Sequence, residues 1–111
     1  MTDQEFAYRV VLDPEMSNQV SSLIAYQELN DSPLRAVIWN VRRQAWTYSP
    51  EPAAKFLYDD RYFDETKDVD RPTAERIARE TLHTELPSEQ VLQAMCDEGQ
   101  RMGWTYGPPE T

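Results

Sequence analysis

The sequence predicts an α+β fold: a small three-stranded sheet, in the order strand, helix, strand, strand, helix, helix, helix, with the helices packed on one face. Three observations lead there. Phe6 to Leu12, FAYRVVL, alternates Phe6, Tyr8, Val10 and Leu12 with Ala7, Arg9 and Val11, the period-two pattern of a strand. Ala36 to Pro50, AVIWNVRRQAWTYSP, carries two further runs of this kind around an arginine pair. The second half of the chain shows apolar residues at helical spacing behind Pro and Ser start signals. Strands followed by a run of helices are the pattern of an α+β fold. With 111 residues, no internal repeat and no long linker, residues 1–111 read as one domain, with a frayed tail from about Gly107.

After the first strand, Asp13-Pro14-Glu15 has the form of a helix start, with Asp as N-cap, Pro at the first position and Glu in the first turn. Met16, Val20, Leu23 and Ile24 follow at i, i+4, i+7 and i+8, which predicts an amphipathic helix to about Leu29. This connection is long enough for a right-handed crossover between parallel strands. Asn30-Asp31-Ser32-Pro33 is a loop by composition.

In the hairpin, one register places Trp39 opposite Trp46 and Val37 opposite Tyr48, and a slip of one residue would separate them. Aromatic and β-branched cross-strand pairs are worth about 0.2–1 kcal/mol each, which favours the in-phase register. A two-residue Arg42-Arg43 turn would need positive φ at residues unsuited to it, so a four-residue loop over Val41 to Gln44 is expected. Arg42 and Arg43 then face water. The tryptophans and Tyr48 are read mainly as core, because large aliphatic residues are scarce.

Ser49 caps a second helix, with Pro50 and Pro52 in its first turn and Ala53, Ala54, Phe56 and Leu57 as its stripe. Asp59 to Asp70, DDRYFDETKDVD, reads as an exposed acidic loop pinned by Tyr62 and Phe63. Pro72 opens a third helix with Ala74, Ile77, Ala78, Thr81 and Leu82 inward, and Glu75–Arg79 and Arg76–Glu80 as surface pairs. Ser88 caps a fourth, with Val91, Leu92, Met95 and Met102 inward, Gly103 as its C-terminal stop and Trp104 folded back over the last turn.

Net charge is −9, from 20 acidic and 11 basic residues. That excludes direct nucleic-acid binding, which needs Lys and Arg against phosphates, and disfavours anionic membranes. No window approaches the ~18 apolar residues of a membrane span. The N-terminus has no basic, apolar leader, so a cytoplasmic protein is the default. One cysteine, Cys96, cannot form an internal disulfide.

Catalytic signatures are weak. An EF-hand frame from Asp64 puts Val69 where glycine is required and Pro72 at position nine. His83 and Cys96 are the lone examples of their types. They read as a helix-end cation and a half-buried filler, since no local positive charge would activate the thiol. Two such groups fall short of a structural zinc site. No metal and no cofactor are expected, and glycine-rich phosphate loops are absent.

The expected function is a small acidic, non-enzymatic protein-binding domain that docks to a basic partner surface. An inhibitor, an immunity-type protein or a regulatory accessory factor would fit. Asp59, Asp60, Asp64, Glu65, Asp68 and Asp70 would meet that partner, with Arg42 and Arg43 as a positive counterpart. The alternative is a small ligand-binding domain or enzyme with an aromatic-lined pocket between sheet and helices, where Tyr26, Tyr48, Tyr58 and Trp104 supply polar tips. A homodimer through an edge strand or exposed aromatics is a third reading.

Overall fold

The computed structural model describes residues 6–13, 15, 19–28, 34–59, 61 and 65–108. The fold is α+β. Its elements are β1 (Ala7–Leu12), β2 (Val20–Gln27), β3 (Arg35–Asn40), β4 (Ala45–Tyr48), α1 (Pro50–Tyr58), β5 (Thr66–Val69), α2 (Arg71–Glu80) and α3 (Glu89–Met102). Among the described residues the sheet has five strands, not three, in the order β4-β3-β2-β1-β5, and every pairing is antiparallel.

The first expected helix is replaced by β2. Asp13 does act as a local acceptor, its Oδ1 taking the Glu15 N–H at 2.8 Å. The Asp13 N–H then donates to the Gln19 carbonyl at 2.9 Å, closing an antiparallel β1–β2 hairpin rather than starting a crossover. Met16 lies outside the described residues. β2 occupies the middle of the sheet and Ser22 to Gln27 are all buried. Both its faces are covered, so period two is hidden in a continuous apolar run.

The β3–β4 hairpin has the expected register, with Val37 opposite Tyr48 and Trp39 opposite Trp46. The tryptophan rings stand 5.3 Å apart and tilted by 58°. Trp39 is buried and Trp46 is half-buried, its indole N–H donating to the Glu85 carbonyl at 3.1 Å. Val41 to Gln44 form the turn, and Gln44 takes the left-handed conformation at φ 53° that closes such a loop.

A second correction concerns the layers. Helices cover both faces of the sheet, not one. Tyr8, Val10, Leu23, Ala25, Val37 and Tyr48 point toward α2 and α3, where Ala74, Ala78, Leu86, Leu92 and Cys96 meet them. Val11, Ile24, Tyr26, Ala36 and Ile38 point the other way, toward Ala53, Phe56 and Leu57 of α1 and toward Leu34. A hairpin with alternating faces cannot hide both its odd and even residues under one layer of helices.

The acidic run is also not all loop. Thr66 to Val69 pair with β1 as an edge strand, and Asp70 N-caps α2 by accepting from the Thr73 N–H at 3.0 Å. Tyr62 and Phe63 lie outside the described residues. Ser88 caps α3 through the Val91 N–H at 3.2 Å. Ser49 precedes α1 but makes no side-chain cap. Its hydroxyl is buried against Thr47 Oγ1 at 2.9 Å. Val91 and Met102 face solvent rather than the core, and Thr81 is exposed.

Candidate functional site

The expected acidic surface is distributed and partly used internally. Asp68 pairs with Arg9 across β5 and β1 at 2.8 Å. Asp59 holds Arg61 at 2.8 Å, and those hydrogen bonds lower its carboxyl to about 2. Asp70 is lowered by capping Thr73. Glu65 is half-buried next to β5, and Asp60 and Asp64 lie outside the described residues. Arg42 is exposed at the hairpin tip, but Arg43 is half-buried there with an enclosed Nε, contrary to expectation. Among the described residues, the tip joins β3 to β4 at one edge of the sheet and Asp68 lies on β5 at the other.

The four aromatic residues of the alternative pocket likewise separate into two places. Tyr26 lies on the α1 face of β2, and Tyr58 at the end of α1 donates its hydroxyl to Glu28. Burial raises both phenols, Tyr58 to about 12 with Glu28 adding to the effect. An open groove of about 480 Å³ runs past Phe6, Tyr26, Glu28 and Asp68 at the end of β1, β2 and β5. Here two carboxylates and a phenol converge around Arg9, whose guanidinium answers one of the two negative charges.

Tyr48 and Trp104 sit at the opposite edge, between β4 and the C-terminal end of α3. A Cβ at Gly99 would overlap the Tyr48 ring, so only glycine lets that ring lie against the helix. Gly103, at φ 74°, turns the chain out of α3, and the Trp104 N–H returns to the Gly99 carbonyl at 3.0 Å. The Glu51 N–H donates to the Thr105 carbonyl at 3.1 Å and ties this segment to the start of α1. Trp104 thereby stands between two cavities, one of about 500 Å³ toward Leu34, Pro50 and Ala54 and one of about 160 Å³ toward Trp46 and Met95.

One polar constellation was missed by sequence reasoning. The buried Tyr8 hydroxyl accepts from Arg71 Nη1 at 2.6 Å and donates to Glu89 Oε2 at 3.0 Å. Arg71 also reaches Glu75 at 3.1 Å and the Pro87 carbonyl at 3.0 Å. Burial, the largest effect, and Glu89 push the Tyr8 phenol up to about 12. The group joins β1 to the starts of α2 and α3, which is a structural task. Tyr8 and Arg71 are 63 positions apart, so no local signal announces the pairing.

His83 is exposed at φ 57° beyond α2, whereas Cys96 is fully buried rather than half-buried. Burial pushes the thiol up, against the pull of Arg35 beside it. No group of three or more metal-binding side chains occurs among the described residues. No helix among them is long and apolar enough to cross a membrane. No protein-family model, curated protein or solved structure matches this chain.

Proposed function

We propose that this protein is a non-enzymatic binding domain that docks a basic surface of another protein through the end of the sheet where β1, β2 and β5 meet. The observation that carries this reading is the convergence of Glu28, Asp68 and Tyr26 in one open groove on a chain of net charge −9. Arg9 offsets one of the two carboxylates, and the remaining negative charge, on a chain acidic overall, raises the association rate of a complementary partner. The Asp68 side chain is 69% exposed despite its bond to Arg9. A carboxylate offers about four lone-pair positions, so it retains acceptors for an incoming Arg or Lys.

A different protein suits this end better than a second copy. In a two-fold antiparallel pairing along β5 the faces of the sheet are preserved, so residues of equal parity oppose each other. Centred on Lys67 or on Asp68, such a pairing sets that residue against its own copy, and like charges directly opposite are destabilising.

The test compares wild-type chain and a Glu28→Gln/Asp68→Asn variant as bait in affinity capture, followed by titration with the purified captured protein. A basic partner whose affinity falls about tenfold in the variant, and steeply with salt, supports the reading. Equal affinity for both baits, independent of salt, overturns it.

A further inference from the structure

We infer that the cleft around Trp104 is a binding site for an alkylammonium group, a second site that does not depend on the docking face. The cleft is built by specific devices: the Gly99 contact under Tyr48, the left-handed turn at Gly103 and the Glu51–Thr105 tie. The larger cavity, about 500 Å³, is of the size that takes a small organic ligand. Trp104, half-buried against the core, borders both cavities, as does Tyr48.

The chemistry of the lining selects the ligand. In the larger cavity Tyr48 and Trp104 supply aromatic surface and Leu34 and Ala54 room for an aliphatic stem, and in the smaller Trp46 joins Tyr48 and Trp104. The charged residues among the described lining are Glu51 in one cavity and Glu98 in the other, both exposed carboxylates. No Lys or Arg is among them. Arg35 reaches the rim through Gln100 at 3.1 Å, where Asp97 meets its charge at 2.8 Å. Aromatic faces attract cations, and carboxylates at the rim reinforce that choice, whereas an anion is repelled and a neutral molecule gains only the apolar share. A free amine and the side chain of a lysine present the same group.

Two matched pairs of probes test this at constant ionic strength: hexylammonium against 1-hexanol, and Nα-acetyl-lysine methylamide against its Nε-acetylated form. Binding is read by tryptophan fluorescence and by chemical-shift changes at the Trp104 indole and the Glu51 and Glu98 amides. The expected result is saturable binding in which each cation exceeds its neutral counterpart about tenfold. Glu51→Gln/Glu98→Gln weakens the cation about tenfold and leaves 1-hexanol unchanged. Trp104→Leu weakens both. If Trp104→Leu does not fold, the double glutamine variant decides, since it alters only exposed groups. Tighter binding of the lysine amide than of hexylammonium assigns the site to a partner's side chain, and the reverse assigns it to a free amine. Equal binding of cation and neutral probe, or unsaturable shifts spread over the acidic surface, overturns the inference. Neither result bears on Glu28 and Asp68.

Discussion

The two faces of the sheet are filled differently. Among the described residues, twelve buried side chains gather on the side of α2 and α3 and six on the side of α1. The larger side includes Leu92 and Ala78 at zero exposure and the part-buried Tyr8–Arg71–Glu89 group. On the smaller side, Ala53 is the buried residue of α1, while Phe56 and Leu57 are half-buried. Apolar stabilisation scales with the area removed from water, so the two layers contribute unequally. Truncating the same side chain in each gives the most direct comparison. Leu92→Ala should cost about 3–5 kcal/mol and Leu57→Ala about 1–2 kcal/mol, read from urea denaturation. Equal losses would show that α1 is held as firmly as α3.

The next effect concerns how closely α3 approaches the sheet. Gly99→Ala places a methyl group inside the Tyr48 ring, and should cost about 2–3 kcal/mol through overpacking. A methyl at Gly103 meets nothing within 4 Å, so Gly103→Ala should cost only the strain of positive φ, about 1 kcal/mol. If both substitutions cost the same, the flat contact between Tyr48 and α3 is not what fixes the helix.

The same contrast explains what the sequence disclosed. The β3–β4 hairpin was legible because Trp39, Trp46, Val37 and Tyr48 are paired by local register. Gly103 and Ser88 were legible because caps act within a turn of the helix. β2 was not, since Leu23, Ile24 and Ala25 are buried on alternate faces and imitate a helical stripe. β5 was not, because Thr66-Lys67-Asp68-Val69 becomes a strand only by pairing with β1, more than fifty residues away. Of the candidate sites, the residue types at Trp104 and Asp68 stood out in the sequence. Their neighbours, Glu51 and Glu98 in one case and Tyr26 and Glu28 in the other, are assembled by those long-range pairings.

Alkaline pH probes the buried Tyr8 phenol on the α2/α3 side. The Tyr8 phenol is raised to about 12 from its ordinary value of 10.0. The folded state therefore keeps the proton that the unfolded chain releases. Stability from this group is fully present below pH 10 and is lost as pH rises toward 12. Tyr8→Phe should cost about 1–2 kcal/mol at neutral pH and reduce the decline in urea midpoint above pH 10. Tyr26, Tyr48 and Tyr58 are also shifted upward, so the decline should shrink without vanishing. An unchanged alkaline slope in the variant would mean that burial does not raise the Tyr8 phenol in the folded state.

The smallest effect separates the helices by their ends. Asp70 and Ser88 each satisfy an orphan N–H, of α2 and α3 respectively, whereas α1 begins with no side-chain cap. Asp70→Ala and Ser88→Ala should each cost about 1 kcal/mol. α1 has the shorter span, the smaller buried face and the uncapped start, three reasons for it to open before the sheet does. Native-state hydrogen exchange should show α1 amides exchanging through local opening, at lower free energy than those of α3. Restoring a cap cannot be done at Ser49 itself, because its hydroxyl is already committed to Thr47. The difference between the two layers is therefore built into β4, where the pair that closes the sheet edge takes the group that would have strengthened the helix.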